Sequence, residues 1–200
     1  MIQKLIVIFF ILILTSCSTS QRSGINWQPM GSLGVIYAPG LQINKPTDAH
    51  WETASEYHQG RKIKKIIFRE AVPLGSKYTA VAHVRAIGPK AGIANAQDLA
   101  AQMRQSFNLT RGLSNASHKI DTAEGCAYEC ASFKFRGEQV VARDGFQEEF
   151  QFDGFGYWYL HPTQNAIFEV FFSERFPLGY SRKYQDATVE KFLRSLRFAG

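Results

Sequence analysis

The chain has 200 residues, 45% of them hydrophobic, with 23 basic and 17 acidic side chains and a formal charge of +6. That apolar share is too high for a disordered chain, and the mean hydropathy of −0.19 is too low for a polytopic membrane protein. Three cysteines are too few for a disulfide-framed scaffold, so stability has to come from a packed core.

The first element is a leader. Lys4 gives a short positive region, Leu5 to Leu14 is unbroken apolar sequence, and Thr15-Ser16-Cys17 leads into the polar string Ser-Thr-Ser-Gln-Arg-Ser-Gly. Ten apolar residues fall well short of the ~20 that a membrane-crossing helix needs, so the layout reads as a secretory signal. Leu14-Thr15-Ser16-Cys17 resembles the bacterial lipobox. The resemblance implies removal of residues 1–16, lipidation of Cys17, a flexible tether over residues 17–30 and a single domain over residues 31–200. Several acyl chains, at ~0.8 kcal/mol per buried methylene, hold a protein on its membrane. Ser18, where some lipoproteins carry Asp, resembles the signal for transfer to the outer membrane, with the domain facing the periplasm. The alternative is an ordinary secretory signal with an incidental cysteine.

Three strands follow: Leu33 to Tyr37, Ile63 to Phe68 and Tyr78 to Ile87, each β-branched or aromatic between Gly and Pro punctuation. Around the second, Arg61, Lys62, Lys64 and Lys65 form the densest charge in the chain. They read as an anionic-surface patch, with ~1 kcal/mol per cation near a charged membrane, or as a solvated edge strand whose lysines deter edge pairing. A helix begins after Asn95, a capping residue with Asp98 three positions on, and Leu99, Met103 and Phe107 mark its apolar stripe.

Ser114 to Glu124 reads as a polar loop. Cys126 to Phe135, Gln139 to Ala142, Phe146 to Phe152, Gly156 to Leu160 and Ala166 to Ser173 read as strands of an antiparallel meander, with the DGFG at 153–156 as a turn. Cys126 and Cys130 are candidates for a disulfide. On one straight strand, residues four apart are ~13 Å apart, too far to bond, whereas a bend at Cys126, which Gly125 directly before it makes possible, permits the bond. Two buried thiols and a local disulfide both remain open. Lys183 to Leu196 reads as an amphipathic helix. Strands bracketed by helices predict an α+β fold, a central antiparallel sheet covered by helices.

From Tyr157 to Phe198, "YWYLHP", "AIFEVFFSERFP" and "YQDATVEKFLRSLRF" resemble the closing unit of the PsbP-like (Mog/PsbP/DcrB-type) domains. The resemblance implies an α/β/α sandwich and a binding or stabilising module. It supplies no catalytic residue.

No serine-hydrolase elbow, phosphate loop or dinucleotide fingerprint is present, and the five histidines lack metal-ligand spacing. Neither an enzyme activity, a cofactor nor a metal is expected. Glu174 and Arg175 at a strand end, Tyr157 on the aromatic strand and His161 before Pro162 are the candidate ligand or partner contacts. The functional expectation is a lipid-anchored, non-catalytic interaction or assembly module for envelope components. The partners expected are the membrane through Cys17 and an envelope protein, with no nucleic acid. The alternative is a periplasmic carrier or sensor of a small apolar or anionic ligand.

Overall fold

Period-two burial runs through most of the chain, and its product is one large antiparallel sheet. The structure, a computed structural model, describes residues 26–30, 34–38, 40–56, 65–73, 76–89, 92–106, 112–143 and 146–199. In chain order the elements are β1 (Gln28–Pro29), β2 (Val35–Ala38), β3 (Leu41–Asn44), β4 (Trp51–Glu56), β5 (Lys65–Glu70), β6 (Thr79–Gly88), α1 (Ala96–Ser106), β7 (Ser114–Thr122), β8 (Cys130–Arg143), β9 (Phe146–Leu160), β10 (Ile167–Pro177), α2 (Asp186–Leu193) and β11 (Arg197–Phe198). Eight strands form the main sheet in the order β1-β4-β5-β6-β10-β9-β8-β7, and β11-β3-β2 form a small one.

Alternation puts two cores on the two faces of the main sheet. On the first face Ile66, Phe68, Ala82, Val84, Tyr159 and Phe172 meet Val189, Phe192 and Leu193 of α2 and Leu41 and Ile43 of the small sheet. On the second, Trp158, Leu160, Phe133 and Ile167 meet Leu99, Ala100 and Met103 of α1. Asn95 caps α1 as its sequence suggests, its Oδ1 accepting the Asp98 N–H at 2.9 Å.

The expected α+β sandwich, a sheet covered by helices, is corrected by this architecture. The described residues are mostly strand, and the structure does not support the PsbP-like α/β/α arrangement. Eight strands at ~4.8 Å span roughly 34 Å, while a helix covers about 10 Å. The two helices among the described residues, of 11 and 8 residues and one to a face, cannot cover such a sheet.

Three local expectations also change. The polar stretch after residue 113 is strand β7, an edge element whose only fully buried residue is Ile120. β5 is an interior strand between β4 and β6 rather than an edge. The DGFG at 153–156 is no turn but the middle of β9, paired to β8 and β10 along its length. Its glycines serve packing. A Cβ at Gly154 would overlap the Phe135 ring and one at Gly156 the Phe133 ring, so the two rings lie flat across β9. Gly137 likewise lets β8 run without interruption under Leu113 and Ala116.

Candidate functional site

The register of β8 against β9 pairs Arg136 with Asp153 and Lys134 with Phe155 on the first face of the sheet. Asp153 is 3% exposed, and both its oxygens are taken by Arg136, Nε to Oδ1 at 2.9 Å and Nη2 to Oδ2 at 2.7 Å. That fork holds the Arg136 guanidinium in place and raises its pKa further, chiefly through the hydrogen bond.

The 178–185 loop brings a third cation. Arg182 Nε approaches Glu174 at 3.2 Å, and its Nη1 reaches Asp186 at 2.6 Å. Lys134 Nζ lies 3.7 Å from the same Asp186. Lys134 and Arg182 also converge on one ring, 4.7 and 4.5 Å from the Phe155 centroid. The result is an alternating row, Lys134, Asp186, Arg182, Asp153, Arg136, laid across the sheet beside the first turn of α2.

Three open recesses follow this row. One of about 320 Å³ is lined by Lys119, Lys134, Arg136, Arg182, Asp153 and Phe155, among others. A second, about 250 Å³, lies between Phe155, Tyr157 and α2. A third, about 550 Å³, runs from Arg136 past Gln151 to Tyr180.

Past the recesses the sheet narrows to a ribbon. β7 reaches β8 no further than Ser114 opposite Glu138, and β10 reaches β9 no further than Pro177 opposite Phe150. Residues 140–143 and 146–149 therefore pair with each other and, among the described residues, have no third strand beside them; the Leu178 N–H bond to the Glu149 carbonyl at 3.0 Å and the Lys77–Glu148 ion pair at 2.6 Å tether one side. Phe146 at the tip is 75% exposed and Val140 53%.

The second face carries a buried polar cluster. Glu169 accepts from Arg85 Nε at 2.7 Å and Trp158 Nε1 at 2.9 Å, and shares a proton contact of 2.7 Å with His83 Nε2. Burial alone would raise the Glu169 pKa; the His83 hydrogen bond and the Arg85 charge outweigh it and hold the carboxyl at about 2. His83 goes the other way: burial lowers its pKa despite the carboxylate. The pair is thus carboxylate with neutral imidazole, a structural strut.

The four contacts suggested by sequence are not brought together. Glu174, 1% exposed, faces the first core, where it accepts from Tyr78, Arg182 and the backbone N–H groups of Lys183 and Tyr184. Arg175, its neighbour, projects to the opposite face, 4.8 Å from the Phe150 centroid. The Tyr157 hydroxyl donates to Glu190 and accepts from Arg194, tying α2 to β9; burial, then Glu190, pushes its pKa up to about 12. His161 Nδ1 accepts the backbone N–H groups of Thr163 and Gln164, and its ring packs on Phe198 at 4.3 Å. Cys17, Arg61, Lys62 and Lys64 lie outside the described residues. Lys65 is half-buried in β5.

Cys126 and Cys130 form a disulfide, their Cα atoms 6.4 Å apart. The chain bends through Ala127, Tyr128 and Glu129 and so brings them together, while Gly125, at φ +70°, turns the chain just before Cys126. The bridged loop is a junction. Glu129 Oε2 accepts the Ala96 N–H at the start of α1 (2.8 Å), the Tyr128 hydroxyl accepts the Phe198 N–H of β11 (3.0 Å), and the Glu124 carbonyl accepts from Arg194 beyond α2.

Among the described residues no group of three or more His, Cys, Asp or Glu could hold a metal, and no helix is long and apolar enough to cross a membrane. No protein-family model matches the chain, and no curated protein matches it either. Among solved structures it is similar to LpqN, which is involved in cell envelope biogenesis of Mycobacterium tuberculosis. The identity is 11%, over 88% of this chain and 91% of that chain, and the TM-score is 0.45.

Proposed function

We propose that this chain is a cell-envelope protein, held through acyl chains on Cys17 at the outer membrane and facing the periplasm, whose domain is a non-catalytic interaction or assembly module for other envelope proteins. The observation that carries the reading is the ribbon at 140–143 and 146–149. An isolated two-stranded ribbon is marginal in water. Among the described residues this one has no further strand beside either edge, and it presents two exposed apolar side chains, Val140 and Phe146, the features by which a partner chain adds to a sheet. An apolar-ligand carrier fits less well, because Tyr157 and Phe171 sit on opposite faces and the recess beside Tyr157 is open.

The test is in-cell cross-linking of the tagged, lipidated protein, with mass spectrometry of what copurifies, for the wild type and a Val140→Ser/Phe146→Ser variant. A near-stoichiometric envelope protein present with the first and depleted at least fivefold with the second is the expected outcome. No partner in a preparation where other envelope complexes survive, or a partner indifferent to the two substitutions, would retire the assembly reading.

A further inference from the structure

The row of ions on the first face is not fully spent on itself. Arg136 uses Nε and Nη2 on Asp153, and among the described residues Nη1 makes no hydrogen bond. The Lys134 ammonium also makes none there; its carboxylate contact, Asp186, is 3.7 Å away with both side chains about three-fifths exposed. The 320 Å³ recess between them carries four cationic side chains, Lys119, Lys134, Arg136 and Arg182, and one carboxylate, Asp153, which is buried and already satisfied by Arg136. Lys119 is paired at its exposed end with Asp121.

We infer that this recess binds an anionic group, a phosphate or carboxylate, gripped by Arg136 Nη1 and Lys134 Nζ. Three physical points support it. A guanidinium clamped by a buried carboxylate is already ordered, so little rotamer freedom is lost when its outer N–H groups meet a ligand. An unengaged ammonium beside it supplies the second charge-assisted bond. The Phe155 ring, with Lys134 and Arg182 both within 5 Å of its centroid, forms one apolar wall of the recess and holds the two cations over it. The site is read from the sheet face and not from the ribbon, so it stands or falls apart from the assembly reading.

The anion could belong to a soluble molecule or to a lipid headgroup, and one experiment separates them. The full chain in non-ionic detergent is titrated calorimetrically with glucose 6-phosphate, glucuronate and uncharged methyl glucoside, and separately with phosphatidylglycerol added to the micelles. Binding of an anionic sugar but not methyl glucoside, weakened at least fivefold in Lys134→Gln, identifies a soluble ligand; binding of phosphatidylglycerol alone with the same dependence identifies a headgroup. Arg136→Gln should abolish either. Because that change strips Asp153 of its partner, its thermal unfolding is compared with that of the wild type, and the Lys134→Gln result decides if it fails to fold. No binding of any anion at 10 mM ligand, or binding equal in wild type and Lys134→Gln, overturns the inference.

Discussion

Glu169 on β10 and His83 on β6 meet 2.7 Å apart inside the sheet's second face, and burial moves the imidazole to lower pKa while its partners hold the carboxyl at about 2. Both shifts are depressions, and each contributes stability that is full above the unfolded-state pKa and lost as pH falls through the folded one. The His83 contribution should begin to fade below about pH 6.5, and that of Glu169 between about 4.5 and 2. Thermal unfolding midpoints at half-unit intervals from pH 8 to pH 3 should therefore fall in two stages. His83→Gln, which keeps a donor for Glu169 but cannot titrate, should remove the first stage. A variant that keeps both stages would show that the pair is not the origin.

Gly154 and Gly156 are the points where two phenylalanines cross β9. Alanine at Gly156 should cost about 2–3 kcal/mol, since its methyl group would overlap the Phe133 ring. Gly88 has nothing within 4 Å of its Cβ position, and alanine there should be neutral or gain under about 1 kcal/mol. Urea unfolding of the two variants measures the contrast; equal effects would mean that the rings can move aside.

The buried Glu174 accepts four hydrogen bonds, three that pin the 178–185 loop, from Arg182 and the Lys183 and Tyr184 N–H groups, and one from the Tyr78 hydroxyl. Glu174→Ala leaves those donors without an acceptor and should destabilise by roughly 3–5 kcal/mol. It should also release Arg182 from the ionic row, which hydrogen exchange over residues 178–186 would register as lost protection. Unchanged exchange there would assign the loop's order to other contacts.

Removing the disulfide in Cys126→Ala/Cys130→Ala should cost about 2 kcal/mol from the small loop that it closes. The distribution of the damage is the more specific expectation. Exchange should rise at the start of α1 and in β11, both held by the loop, and stay unchanged at β5 and β6. Uniform loss would contradict the junction role.

Cys17→Ser should leave the protein uncleaved or soluble in fractionation, since the lipobox resemblance makes this side chain the acylated one. A mature, detergent-requiring form of the variant would refute the anchor.

How far the sequence could be read depends on where each strand lies. β6 was legible because small residues alternate on one buried face, and α1 because Asn95, Leu99 and Met103 mark its cap and stripe. β7 was not: on an edge with one face in solvent, its nine residues need only Ile120 to be apolar. β9 was misread at 153–156 because glycine that accommodates a ring from the next strand looks, in one dimension, like glycine that turns a chain. The recess was invisible for a related reason. Lys134 and Arg136 meet Asp153 and Phe155 only through the β8–β9 register, and Arg182 joins them through its bonds to Glu174 and Asp186. The neighbours Glu174 and Arg175, in contrast, could be known not to cooperate, since adjacent residues on a strand face apart.

The small sheet has a consequence for the order of folding. β3 takes β11 as its neighbour, the Asn44 N–H donates to the Ser195 hydroxyl, and the Ala199 N–H donates to the Gly40 carbonyl, contacts that bridge about 150 positions of chain. A chain emerging N-terminus first can pair β4 with β5 and β5 with β6 early. It cannot seat Leu41 and Ile43 over the first core until residues 195–199 have arrived. The domain closes like a drawstring bag, from its two ends at once and last of all.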